Sequence, residues 1–191
     1  LFTNTFDPAD VTTEGEDAIK GTKTVDGRNW NGDSYKFTIA EAEGHENQTG
    51  VTMPQSTEVT VSDDASDKVD GQAFDAITFS HVGSYYFTIT ETGEFGTGNG
   101  MKYDEHKTNV TVTVGVDEEN GTLEITKIEY DNEGVVGAST ELAQYTNVYN
   151  ASFDFGEGDN GGIQVVKELD GRTQLPAEFG FTIKAVSSDT V

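Results

Sequence analysis

Apolar and polar side chains alternate strictly through the patterned parts of this chain, as in Tyr85-Tyr86-Phe87-Thr88-Ile89-Thr90 and Val110-Thr111-Val112-Thr113-Val114. Successive side chains point to opposite faces of a strand, so such runs bury one face only as β-sheet. Long apolar stripes at helical spacing are missing. Apolar residues make up 34% of the chain, yet Val, Thr, Tyr and Phe gather where the alternation is clearest. The pattern predicts an all-β chain with strands near 18–25, 35–41, 57–62, 75–80, 84–91, 108–116, 122–131 and 143–149. That many short strands, separated by frequent turns, favour an immunoglobulin-like two-sheet sandwich. Asn120-Gly121 predicts a hairpin whose turn residues both tolerate positive φ. The polar segment 41–56 reads as a loop.

Three polar residues break the alternation from the inside. Lys23 shares parity with Ile19 and Val25, Glu91 with Tyr85, Phe87 and Ile89, and Asn147 with Tyr145 and Tyr149. Each should therefore enter an apolar, aromatic-lined interior. A buried Lys or Glu without a partner is strongly destabilising. A lysine, an asparagine and a carboxylic acid are also the two reactants and the catalyst of a spontaneous Lys–Asn amide cross-link. The plainer alternative is a buried Lys23–Glu91 ion pair with Asn147 hydrogen-bonded beside it, an arrangement that adds little stability.

The formal net charge is −24 at pH 7. Such a surface stays soluble by self-repulsion and lacks the cations that neutralise phosphates, which argues against nucleic acid and anionic membrane as partners. Calcium is a weaker alternative. The acidic runs Asp63-Asp64-Ala65-Ser66-Asp67 and Asp154-Phe155-Gly156-Glu157-Gly158-Asp159 offer oxygen ligands, but neither has the spacing of a complete calcium loop. No cofactor is expected. The chain has no cysteine, which excludes disulfides and thiolate chemistry. His45, His81 and His106 lack metal-ligand spacing, and His81 reads as a turn residue. Trp30 is expected to cover one end of the core, and Glu94 to lie in a Gly-rich loop. No signal peptide or membrane-spanning run is present.

An internal repeat suggests a piece of a tandem array. Gly21-Thr22-Lys23-Thr24-Val25-Asp26-Gly27-Arg28 recurs around Val165-Val166-Lys167-Glu168-Leu169-Asp170-Gly171-Arg172, an offset of 167 − 23 = 144. Independently, Phe2-Thr3-Asn4-Thr5-Phe6 resembles Tyr145-Thr146-Asn147-Val148-Tyr149, with 147 − 4 = 143. Residues 1–6 thus read as the last strand of a preceding repeat and 7–150 as one complete domain. Residues 151–162 read as a Gly-rich acidic connector, and 163–191 as the opening strands of a following repeat.

The combination of Gly21-to-Ile39, Val82-to-Glu91 and Tyr145-to-Tyr149, in that order and spacing, resembles the isopeptide-linkage domains of Gram-positive pilins and surface adhesins. The variety is that of T-antigen-like pilin subunits, related to the B-type repeats of collagen adhesins. The resemblance covers residues 18–150 and, in part, both tails. It implies that Lys23 is the nucleophile, Asn147 the electrophile and Glu91 the catalyst of a self-formed amide, with Asn4 and Lys167 the equivalents in neighbouring repeats. Desolvation suits these roles: it favours a neutral amine and a protonated carboxyl. The event happens once per molecule, so the chain is not expected to be an enzyme. The many acidic residues leave a carboxylate-pair glycosidase as the enzyme alternative, but no organised constellation supports it.

The resemblance further implies an extracellular, cell-wall-anchored structural stalk, with adjacent repeats of the same chain as partners and any host ligand met through other domains. The alternative is a ligand-binding adhesin module that contacts glycan or protein through loops 41–56 or 92–107. No lysine motif for pilus polymerisation is found, which inclines the reading toward a repetitive adhesin over a pilus backbone.

Overall fold

A computed structural model describes residues 8–30, 32–62, 69–92, 100–150, 171 and 180–184. The alternating runs form strands close to where their periodicity places them. In chain order these are β1 (Val11–Thr12), β2 (Lys20–Asp26), β3 (Ser34–Glu41), β4 (Val51–Thr52), β5 (Glu58–Ser62) and β6 (Val69–Ala73). They continue with β7 (Thr78–Phe79), β8 (Gly83–Thr92), β9 (Met101–Lys102), β10 (Lys107–Asp117), β11 (Thr122–Asn132) and β12 (Ala143–Tyr149). A single 3-10 turn at Gly15–Asp17 is the only helical element among the described residues.

Two sheets form the sandwich, one ordered β11-β10-β8-β3-β5 and the other β6-β2-β12-β9. A small third sheet, β1-β7-β4, adds Phe79 to the same interior. The all-β, immunoglobulin-like class expected from the alternation is what the chain adopts. Inward positions of the larger sheet supply Tyr35, Phe37, Ile39, Tyr85, Phe87, Ile89, Val110, Val112 and Val114, all buried. Tyr145 and Ala143 face them from β12.

In the four-stranded sheet a ladder joins β2 to β12. These two strands run parallel, with Tyr145 opposite Lys23 and Asn147 opposite Val25. Parallel strands require a crossover, and here nearly the whole domain is that crossover. Just past β2 the chain turns at Gly27, whose φ is +87° and where an added Cβ would lie 2.2 Å from the Tyr149 carbonyl oxygen. Only glycine fits so close an approach. Arg28 then closes the turn with a two-pronged bond to Asp33, at 2.7 and 2.8 Å. The repeated Asp-Gly-Arg sequence is therefore the seal between the ends of β2 and β12.

Several elements depart from expectation. The hairpin at Asn120-Gly121 exists, but a four-residue loop closes it and only Gly121 has positive φ, +66°. Asp117 explains the difference: its Oδ1 accepts the Glu119 and Asn120 N–H groups and fixes a wider turn. A bulge between Thr113 and Val114 adds Thr126 to β11. The strand expected at 75–80 shortens to β7, while β1, β4, β6 and β9 were not anticipated. Segment 41–56 is a loop apart from β4, and its chain folds back on itself. Glu41 accepts the Asn47 and Gln48 N–H groups, and the Gln48 side chain pairs with both main-chain groups of Tyr86. Trp30 packs edge-on against Tyr35, 5.2 Å between centroids, at the end of the core. His81 sits in a bend.

The chain divides into two units, Leu1–Asn150 and Ala151–Val191. In the second, Gly171 and residues 180–184 are described, exposed and outside any strand. Asn4, Lys167, Glu94 and both acidic runs lie outside the described residues. Among the described residues no cluster of three or more His, Cys, Asp or Glu could hold a metal ion, and no helix is long and apolar enough to cross a membrane.

Candidate functional site

Parity along three strands brings Lys23, Glu91 and Asn147 to one point between the sheets. Lys23 stands on β2 and Asn147 on the adjacent β12, two rungs along the same parallel ladder. Glu91 comes from the opposite sheet, near the end of β8, where β3 presents Phe37 as its register partner. Lys23 Nζ donates to Glu91 Oε2 at 2.7 Å, and both side chains are fully shielded from solvent. Asn147 Nδ2 donates to Glu91 Oε1 at 2.9 Å, and Asn147 is also fully buried. One carboxylate thus bridges an amine and a carboxamide, an oxygen for each.

The surroundings are aromatic. The Tyr35 ring lies 4.8 Å and the Phe37 ring 5.9 Å from Lys23 Nζ. Phe37 packs on Tyr145, whose hydroxyl donates to the Ile89 carbonyl at 2.7 Å. This enclosure acts on both charges. Burial pushes the Lys23 amine below its ordinary value, and the attraction and hydrogen bond of Glu91 only partly restore it. Burial likewise pushes the Glu91 carboxyl up, against the opposing pull of Lys23 and Asn147. Both shifts move the pair toward neutral amine and protonated acid.

Two further residues complete the site, and the alternation gave no sign of them. After β9 pairs with the end of β12, the chain passes Asn147 at Asp104. The Asp104 main-chain N–H donates to Asn147 Oδ1 at 2.7 Å. The Asp104 carboxylate accepts from Thr146 N at 2.8 Å and from His106 Nδ1 at 2.6 Å. Burial alone would raise this carboxyl, but the Thr146 N–H and the His106 ring and N–H outweigh it and hold it below its ordinary value. His106 stacks on Tyr145 with centroids 4.4 Å apart, and its Nε2 lies 3.3 Å from Thr108 Oγ1.

Thr108 leads into a second buried group. Its hydroxyl donates to Asn132 Oδ1 at 2.8 Å, and Asn132 also accepts from Gln144 N and donates to the Ser139 and Leu142 carbonyls. Every polar position of that amide is filled, as a buried amide requires. Thr108 and Asn132 were legible: they share parity with Val110 and with Tyr130, so the test that found Lys23 also finds them. Asp104 and His106 lie in an irregular strap, where no periodicity marks an inward side chain.

A family model, that of the FctA or Spy0128-like isopeptide-containing domain, matches residues 19–150. No curated protein matches the chain. Among solved structures, the major pilin from Streptococcus pyogenes superposes with a TM-score of 0.53 at 21% identity, covering 69% of this chain and 50% of the pilin. The T-13 major pilin of the same organism gives a TM-score of 0.44 at 23% identity, covering 74% of this chain and 54% of its own. The chain therefore spans about half the length of these pilins, and at such identity the superposition speaks to the fold alone. The family match runs through most of the chain and takes in Lys23, Glu91 and Asn147, so the chain belongs to the Spy0128-like isopeptide-containing domain family.

Proposed function

We propose that this domain is a load-bearing structural module of a Gram-positive pilus, strengthened by an amide that forms between Lys23 and Asn147 under Glu91 catalysis. The observation that carries this reading is the single buried carboxylate bridging Lys23 Nζ and Asn147 Nδ2. Folding sets amine and carboxamide side by side, which replaces an encounter in solution with a fixed near approach.

In the reaction, Glu91 takes a proton from the Lys23 ammonium and leaves a neutral amine. Nζ attacks Asn147 Cγ, the new C–N bond forms, and negative charge moves to Oδ1. Glu91 then delivers its proton to Nδ2 while recovering one from the attacking nitrogen. Collapse of the intermediate breaks the Cγ–Nδ2 bond and releases ammonia. The ammonia takes the remaining proton from Glu91 and leaves as ammonium, so the carboxylate is restored and the balance closes: ammonium side chain plus carboxamide gives amide plus ammonium. No turnover follows, so the chain modifies itself.

The topology gives the bond its mechanical meaning. Because β2 and β12 are parallel neighbours, tension on the two ends of the domain shears their shared ladder. An amide between them carries that load covalently. The localisation that fits is extracellular and wall-linked, and the partners are neighbouring subunits or repeats. The absence of a polymerisation motif does not favour an adhesin over a pilus, since the chain spans about half the length of the pilin it superposes on. Within 92–107, Met101, Lys102 and Asp104 are engaged against β12 and the Asn147 amide, which leaves less of that segment to contact a ligand.

Pulling single molecules by their termini tests the proposal. A linked domain withholds the 147 − 23 = 124 residues between the bonded positions. Lys23→Ala should release them as about 410–450 Å of added contour length. Equal contour lengths for wild type and variant would refute the load-bearing bond.

A further inference from the structure

We infer that the main-chain N–H of Asp104 is the oxyanion donor of the cross-linking reaction, held in place by its own carboxylate and by His106. This rests on the proposed Lys23–Asn147 bond and assigns it a catalytic group outside the lysine, glutamate and asparagine.

The orientation of the Asn147 amide is fixed by its two neighbours. Its Nδ2 faces the Glu91 carboxylate and its Oδ1 faces the Asp104 N–H, so neither end can be exchanged without losing both bonds. Oδ1 is the atom that gains negative charge when Nζ adds to Cγ. A donor at 2.7 Å stands at the distance a preorganised oxyanion donor requires. Asn147 is fully buried, so the dipole of this N–H is less screened at Oδ1 than in water and needs no rearrangement as charge develops.

The local backbone explains why this N–H is free for the task. β9 pairs with β12 at Lys102–Val148 and Met101–Tyr149, and continuing that register sets Asp104 opposite Thr146. The ladder is interrupted there. Thr146 N–H is taken by the Asp104 side chain, through Oδ2 at 2.8 Å, so the Asp104 main-chain N–H turns to the Asn147 side chain. The other carboxylate oxygen accepts His106 Nδ1 at 2.6 Å and His106 N at 3.3 Å, and the His106 ring is stacked on Tyr145. The Asp104 carboxylate and His106 are thus positioning groups, and the main-chain N–H is the group that meets the reacting atom.

The test is a time course on the whole chain. Cell-free synthesis is quenched at intervals, and intact mass gives the fraction that has lost ammonia. Asp104→Pro deletes the donor and should slow linkage about 10²–10³-fold. Asp104→Ala and His106→Ala keep the N–H but loosen it and should slow linkage about 10–10²-fold. Asp104→Asn keeps the N–H and one acceptor oxygen for Thr146 N while its NH2 faces the His106 side, so it should recover part of the rate. Melting of each variant in a Glu91→Ala background establishes that it folds; if Asp104→Pro does not, Asp104→Ala decides. In a Lys23→Met background, unlinked but with Glu91 kept, the Asp104 amide proton should resonate downfield and move upfield on adding Asn147→Ala, which verifies the hydrogen bond, while the linkage rates read its role. A folded Asp104→Ala that links as fast as wild type would overturn this inference alone. A wild type that never loses ammonia would overturn the cross-link itself and this inference with it.

Discussion

Replacing Lys23 with methionine isolates what the proposed covalent bond contributes. Lys23→Met removes the amine but keeps an unbranched stem of similar size in the same aromatic slot beside Tyr35 and Phe37. It leaves no buried ammonium, and the Glu91 carboxyl, which burial pushes toward its neutral form, still accepts from Asn147. The loss is then mainly the constraint on the unfolded chain. Closing a loop of 124 residues corresponds to about 5 kcal/mol in the chain-entropy treatment of cross-links. For a domain of this size that lowers Tm by about 10–20 °C. Circular dichroism melts of wild type and Lys23→Met, under matched buffer and scan rate, measure it. A variant melting within about 3 °C of wild type would refute the reasoning, since no constraint would then have been removed.

Glu91→Gln should also abolish linkage but with a different pH signature. It leaves Lys23 buried with an ordinary value of 10.5 when unfolded and a lower one when folded. The unfolded chain then binds more protons between those values, so stability rises with pH through that window and levels off above 10.5. Wild type, whose linked nitrogen no longer titrates, should lack this rise; melts from pH 7 upward compare them. Asn132→Ala strips partners from Thr108, Gln144, Ser139 and Leu142 and should cost at least about 3 kcal/mol by denaturant titration, with linkage retained. Tyr145→Phe removes the hydroxyl's bond to the Ile89 carbonyl and should cost about 0.5–1.5 kcal/mol in the same titration. Calcium or a chelator should leave Tm unchanged; a calcium-dependent rise would reinstate the acidic loops as ligands.

Lys23, Glu91 and Asn147 are visible in the sequence because buried polar residues violate a rule with few exceptions. Lys23, Glu91 and Asn147 each occupy the inward phase of a strand whose other inward residues are apolar, and a period of two leaves no latitude about the face. Thr108 and Asn132 obey the same logic but attract less notice, threonine being common in strands and Asn132 lying next to a turn. Asp104 could not be read this way. Its role resides in a main-chain N–H, which every residue but proline possesses, and its placement depends on an interrupted ladder between β9 and β12. His106 is legible only once Tyr145 and Asp104 are known to meet. Among the strands, β6 was missed because Val-Asp-Gly-Gln-Ala contains residues poorly suited to sheet and is held by pairing with β2. The two-residue strands are too short for periodicity to register at all.

The central claim is covalent, and intact mass spectrometry addresses it most directly. Wild-type protein should be lighter than its sequence by the mass of one ammonia, and proteolysis should yield one branched peptide joining the Lys23 and Asn147 segments. Lys23→Ala, Glu91→Ala and Asn147→Ala should each show the full sequence mass. A folded wild-type protein at full sequence mass would contradict the account and leave Lys23 and Glu91 as a buried ion pair.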